Sequence, residues 1–276
     1  MKGYFINLDS SKDRLKTFDE RLIQLGFKRI SEDPIRWNKD DIEIERLPAV
    51  DGRLLTSDEL DGFRQDPEKF WDWTTHRLTP GEVGCFLSHR NFWSSMLNEK
   101  QKISFVIEDD FELSKDIVDF LSDSTWIPDD ADFVKLNLFP TDQRKLYPVS
   151  HSVFVVAGRK VVRTMGRVYG TGCYLITAKA AKLCLENSVK MVLPVDLFMF
   201  DARFAFAPTT TLYTVLPGLA EDDHLTPSTI GGKRNRDMLT LTQHLKKGFY
   251  SLVRRFRLKN MMRSYDLHWE RGDFQP

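Results

Sequence analysis

FVIEDD, residues 105–110, runs an apolar, strand-favouring segment straight into three consecutive carboxylates, Glu108, Asp109 and Asp110. Read as a buried strand, the segment delivers concentrated charge to its own carboxyl end, and in α/β sheets that end is where ligands bind. Side chains one residue apart share a side of an extended chain, so Glu108 and Asp110 offer hard oxygen ligands to one divalent ion while Asp109 points elsewhere. The competing reading is a solvated strand end whose acids cap the following helix.

The neighbouring segments extend the α/β pattern in both directions. GYFINL (3–8) reads as a strand, and an amphipathic helix with Leu15, Phe18, Leu22 and Leu25 on one face follows, stopped by Gly26. A second strand, IEIERLPAV (42–50), ends at the turn pair Asp51-Gly52. Thr79, Pro80 and Glu82 supply an N-cap, an N1 proline and a capping-box acid for a helix running to about Leu97. Further strands are expected at 103–107, 133–139, 152–156, 170–177 and 211–217, with helices at 115–121 and 178–186 and a short one after Pro194. Strands alternating with helices predict an α/β/α sandwich with a mixed, mostly parallel sheet.

Composition narrows the function classes. The 276 residues are 41% hydrophobic, enough for a substantial core, and 40 basic residues balance 40 acidic ones, so no global field draws nucleic acid. Three scattered cysteines, Cys85, Cys173 and Cys184, suggest neither a disulfide framework nor a cysteine zinc site, and fit a reducing cytoplasm. The amino terminus lacks a signal-peptide pattern, and no 18-residue apolar run suggests a membrane span. From Met238 to Tyr265, seven Lys or Arg residues interleave with apolar ones, with no Asp or Glu. Two units are therefore expected, a catalytic domain at 1–232 and a basic amphipathic helical segment at 233–276.

Neither GxGxxG nor GxxxxGK[ST] occurs, so a bound phosphate must be met by a metal and by side chains such as Arg14, whose fork suits it. Ser88 and His89 are adjacent on the capped helix and do not face one another, which argues against a nucleophile–base pair and for contact with a hydroxyl or phosphate. A second acidic triplet, EDDH at 221–224, follows the turn LPGLA and reads as a surface loop, with His224 as a possible metal ligand.

INLDSSKDRL (6–15), AVDG (49–52), LTPGEVGCFLSHRNFW (78–93), FVIEDD (105–110), YGTGCYLITAKAA (169–181) and PVD (194–196), in this order, resemble glycosyltransferase family 25 over roughly residues 3–230. This is the bacterial lipooligosaccharide galactosyltransferase family, also related to the collagen galactosyltransferase domains. The resemblance implies a GT-A-type nucleotide-sugar-binding fold, a UDP-hexose donor, manganese or magnesium as cofactor, and inversion to a β-linkage. By position it implies Asp110 as leading metal ligand, with Glu108 as a ligand or ribose contact. Asn7, Arg14 and Asp51 would line the nucleotide, Ser88 and His89 match the family's SH, and Asp109 takes a supporting place. Asp196 matches the family's PxD and is the expected base; Leu197 stands where relatives often carry an acid. His224, Asp222 or Asp223 would close over the diphosphate. A lipid-linked oligosaccharide acceptor is implied, reached from the inner face of the cytoplasmic membrane through the basic segment. A nucleotidyltransferase, a phosphoesterase and a non-catalytic sugar- or lipid-binding protein are the competing readings.

Overall fold

The computed structural model describes residues 1–64, 77–137, 146–166, 168–201 and 209–223; for 146–153, 165 and 166 only the backbone is described. The expected boundary at 232, the basic segment and His224 lie outside these residues.

The parallel centre of the molecule comprises β1 (Lys2–Asn7), β4 (Ile42–Pro48) and β5 (Ile103–Glu108), with β1 between the other two. Around them runs a ten-stranded sheet in the order β2-β3-β4-β1-β5-β10-β7-β11-β9-β8. Its other members are β2 (Lys28–Glu32), β3 (Ile35–Lys39), β7 (Phe133–Lys135), β8 (Leu146–Val156), β9 (Arg159–Gly166), β10 (Cys173–Thr177) and β11 (Leu212–Leu216). The sheet is mixed, as expected, but it is not mostly parallel. Only β1–β4, β1–β5 and β7–β11 pair in parallel among the described residues, while β10 runs against both β5 and β7 and the outer strands form hairpins. An apolar strand such as CYLIT carries no mark of its direction, so alternating elements alone overestimate parallel pairing.

Strand alternation splits the core into two layers. Tyr4, Ile6, Val106 and Tyr174 face α3 (Pro80–Asn98), α5 (Ala178–Asn187) and α6 (Val195–Phe200), where Phe86, Trp93, Ala181 and Met199 meet them. Phe5, Phe105 and Ile107 face the other way, onto Phe18 and Leu22 of α1 (Lys12–Gln24) and Phe120 of α4 (Ile117–Ser122). A remaining short helix, α2 (Ser57–Phe63), follows the 49–55 segment. The result is the α/β/α sandwich that the sequence predicts, consistent with a GT-A-type fold.

Local signals explain the helix that matters most. Thr79 accepts the Glu82 N–H, the Glu82 carboxylate accepts the Thr79 N–H, and Pro80 opens the helix. Two glycines then let α3 touch the turn after β4. A Cβ on Gly52 would lie 1.7 Å from the Pro80 carbonyl, and one on Gly84 would lie 2.5 Å from the Val50 carbonyl. Ser88 completes the joint, accepting the Val50 N–H at 2.9 Å and donating to the Gly84 carbonyl at 2.8 Å.

The second acidic triplet departs from its expected loop. Residues 220–222 form β12 (Ala220–Asp222), which pairs antiparallel with β6 (Phe111–Leu113) in a separate two-stranded sheet. A bend at Pro217-Gly218 turns the chain, and the acids after it extend along the strand that continues from FVIEDD.

Candidate active site

Because β1, β4 and β5 are parallel, their carboxyl ends share one edge, and a cleft opens there. Its lining includes Asn7, Arg14, Asp51, Ser88, His89, Glu108, Asp109 and Asp110. The expected nucleotide-binding residues, with Asp110, are thus brought to one place, while Asp222 and Asp223 are not in its lining. Asp196 does not line it.

The three acids of FVIEDD have different partners. Glu108 accepts from His89 Nε2 at 3.0 Å and from the Thr171 hydroxyl. A carboxylate only accepts, so Nε2 carries a proton here. On its other side the ring meets the Tyr174 hydroxyl at 2.9 Å through Nδ1, and that hydroxyl accepts Trp93 Nε1–H at 3.0 Å. Burial works to raise the Glu108 pKa, but His89, Thr171 and the charge of Lys135 outweigh it and hold the group below its ordinary value.

Asp109 accepts Asn7 Nδ2–H at 2.8 Å and Arg14 Nη1–H at 2.6 Å. Burial leads in raising its pKa, against these two donors. Asn7 is in turn oriented by Arg46, whose Nε–H donates to Asn7 Oδ1 at 3.0 Å. Asn7 and Asp109 therefore brace the strand ends, and Arg14 is drawn to the cleft by Asp109.

Asp110 is the exception. Its Oδ1 is buried and has no hydrogen-bond partner, and Oδ2 lies 3.8 Å from Arg14 Nη1. Burial, then the charges of Glu108 and Asp109, with Asp222 adding to them, push its pKa up to about 7. Across from it the Asp223 N–H donates to the Asp110 carbonyl at 3.0 Å, and Arg21 reaches both the Phe111 carbonyl at 2.9 Å and Asp223 Oδ2 at 3.5 Å. The two triplets are stitched together. A bare buried carboxylate oxygen, with the charges of Glu108 and Asp222 acting on the same group, is a hard donor of the kind that suits manganese or magnesium.

Asp51 is held by Arg53 through both carboxylate oxygens, at 2.8 and 2.6 Å, and these hydrogen bonds depress its pKa despite partial burial. Asp196 sits in the first turn of α6, where Oδ2 accepts the Gly170 N–H at 2.9 Å and Oδ1 the Leu197 N–H at 2.8 Å. Burial raises its pKa, and Glu108 adds to the rise. Lys135 links the two acids: fully buried, it donates to the carbonyls of Tyr169 and Gly170 and fixes the loop that supplies Thr171 and the Gly170 N–H.

Sequence reading found the acids and missed what holds them. Arg46 and Lys135 lie outside every motif singled out above, and Thr171 and Tyr174 lie within YGTGCYLITAKAA without a role of their own; the only further signal is a basic residue inside an apolar strand pattern for Lys135.

A family model described as Glycosyltransferase family 25 (LPS biosynthesis protein) matches residues 1–199. Procollagen galactosyltransferase 2 of Homo sapiens is 26% identical over 205 residues, covering 71% of this chain and 29% of that protein. Lipooligosaccharide biosynthesis protein lic2B of Haemophilus influenzae is 28% identical over 179 residues, covering 59% and 62% respectively. A protein of Bos taurus named probable inactive glycosyltransferase 25 family member 3 is 32% identical over 169 residues, covering 56% and 27%. The chain spans only 27% to 33% of the length of the animal relatives it matches.

Proposed function

The chain belongs to glycosyltransferase family 25, and from that premise we propose that it moves a hexose, galactose before others, from a UDP-sugar to a lipooligosaccharide or lipopolysaccharide core glycan, with inversion to a β-linkage and with the help of a divalent ion. The observation that carries this reading is the bare, buried Asp110 Oδ1 at the edge where three parallel strands end. The names of the lipooligosaccharide biosynthesis protein lic2B and of procollagen galactosyltransferase 2 support the acceptor class and the sugar, respectively.

In this reading Asp110 leads the ligation of manganese or magnesium, with Glu108 and Asp222 beside it and His224 as a further ligand from the following segment. Such an ion supplies Lewis-acid neutralisation of the charge on a departing diphosphate. The protein's own part is to orient. Asp109 holds Arg14 at the cleft, where its guanidinium meets phosphate oxygens, and Asn7 and Arg46 fix that arrangement. The joint of Ser88 with Val50 sets the wall beside Asp51.

Asp196 is the candidate base. Burial raises its pKa, the direction a base working near neutrality needs, and two backbone N–H groups aim it while each oxygen keeps a lone pair. Asp196→Asn separates this from a purely structural brace: a base predicts transfer lowered by about 10²- to 10⁴-fold with donor KM kept, a brace predicts lost stability instead.

Release of UDP from UDP-galactose, with and without manganese, tests the whole reading. Metal-dependent release stimulated by a lipooligosaccharide acceptor is expected. No turnover with any nucleotide sugar would favour the second reading, a sugar-binding protein without transfer; the bovine relative's name calls that protein inactive.

Among the described residues no helix is long and apolar enough to cross a membrane. The basic segment at 233–276 is the part proposed to meet an anionic cytoplasmic surface, each Lys or Arg near it contributing about 1 kcal/mol. Salt-sensitive binding to anionic vesicles, lost on truncation after Gly232, is expected; equal binding by the truncated chain would remove this part of the proposal.

A further inference from the structure

Beside the oxygen-only position at Asp110, the same cleft contains a donor set of different chemistry. Cys85 and His89 stand one helical turn apart on α3 and therefore share a face. Glu108 approaches them from the end of β5. One ligand atom from each of the three lies within 4.8 Å of the others, and the His89 Nε2 to Glu108 Oε1 separation is already 3.0 Å. Ideal zinc bonds of about 2.3 Å to sulfur and 2.0–2.1 Å to nitrogen or oxygen place such atoms roughly 3.2–3.6 Å apart. The bound of 4.8 Å exceeds this by about 1 Å, the contraction an ion would have to bring about.

We propose that Cys85, His89 and Glu108 form a second cation site in the cleft, fitted to a borderline-soft divalent ion of the zinc class, with a fourth position open to the cleft.

Two features of the surroundings support it. First, the other nitrogen of His89 is already held: Nδ1 meets the Tyr174 hydroxyl, itself fixed by Trp93. Metal-bound histidines characteristically have this outer support. When an ion replaces the proton on Nε2, the imidazole proton resides on Nδ1 and the Tyr174 oxygen accepts it. The Cys85 thiol proton leaves to solvent. Second, Cys85, His89 and Glu108 all line the cleft, so an ion held by the three would face it.

The consequence for the proposed reaction is competition through Glu108, whose charge acts on Asp110 as well; zinc there takes that charge away from the site at Asp110. The inference itself rests on the donor set and stands whether or not the protein transfers sugar.

Titration of the full chain with cobalt(II), without manganese or nucleotide, tests it. The expected result is one tightly bound cobalt showing a thiolate-to-metal charge-transfer band in the near ultraviolet and tetrahedral visible bands, bleached by one equivalent of zinc. Cys85→Ser should abolish the near-ultraviolet band and weaken zinc binding by about 100-fold or more, since even loss of an outer partner costs 10- to 100-fold. Asp110→Asn should keep the band, which separates this site from the all-oxygen one. Cobalt bound by the wild type without a thiolate band overturns the proposal, independently of whether any variant folds. So does Cys85→Ser with wild-type zinc affinity.

Discussion

Glu108-Asp109-Asp110 and Glu221-Asp222-Asp223 spell the same three residues, yet the fold gives them different work. The first closes a buried parallel strand, so its carboxylates enter a cleft where partial burial weakens solvent screening. The second lies on a three-residue strand after the Pro217-Gly218 bend, with Glu221 exposed, Asp222 set near Asp110 and Asp223 tied to Arg21. Charge density is equal in the two triplets; the place of the leading acid is not, Glu108 ending a strand of the buried sheet and Glu221 standing exposed. In the first, two acids are satisfied by side-chain donors and the third keeps a bare oxygen, which concentrates the demand for a cation at one atom. The second adds charge to that place.

Substitutions that break this contrast are ranked by it. Asp110→Asn removes the bare carboxylate and should lower metal-dependent transfer by about 10²- to 10³-fold, measured as UDP release against manganese concentration. Asp222→Asn removes the charge that the second triplet adds at Asp110, and a supporting contribution of this kind predicts manganese affinity weakened by about tenfold, read by titration. Tyr174→Phe tests what holds the first triplet. It strands His89 Nδ1 and should cost about 1–3 kcal/mol in denaturant unfolding. Glu221→Ala is the control: an exposed side chain on the two-stranded ribbon should change stability by less than about 0.5 kcal/mol and leave metal affinity unchanged.

The same contrast shows what was legible in the sequence. FVIEDD could be read because an apolar run ending in acids states both burial and charge; the capping box at Thr79 and the glycine after α1 were legible for similarly local reasons. The β2–β3 hairpin was not foreseen. KRISE and IRWNK are mostly polar because β2 is an edge strand with much of its surface exposed, and only Trp37 is fully buried, so no alternation stands out. EDDH was read as a loop because β12 owes its existence to β6, a partner far along the chain. The partners of the acids were hidden for the same reason. Arg46, Thr171 and Tyr174 reach the site through strand order and register, which residue spacing does not encode. Lys135 looks unremarkable in FVKLNLF until the loop at 169–170 folds over it and satisfies its ammonium with carbonyl oxygens.

The central claim is that Asp110 is the atom-level focus of a cation site in the donor cleft and that its twin triplet is only an accessory. Manganese binding in the presence of UDP, followed by calorimetric titration for wild type, Asp110→Asn and Glu221→Gln, tests it most directly. Binding weakened by about 100-fold or more in Asp110→Asn, and unchanged in Glu221→Gln, is the predicted result. Wild-type affinity in Asp110→Asn, or equal loss in both variants, would contradict it.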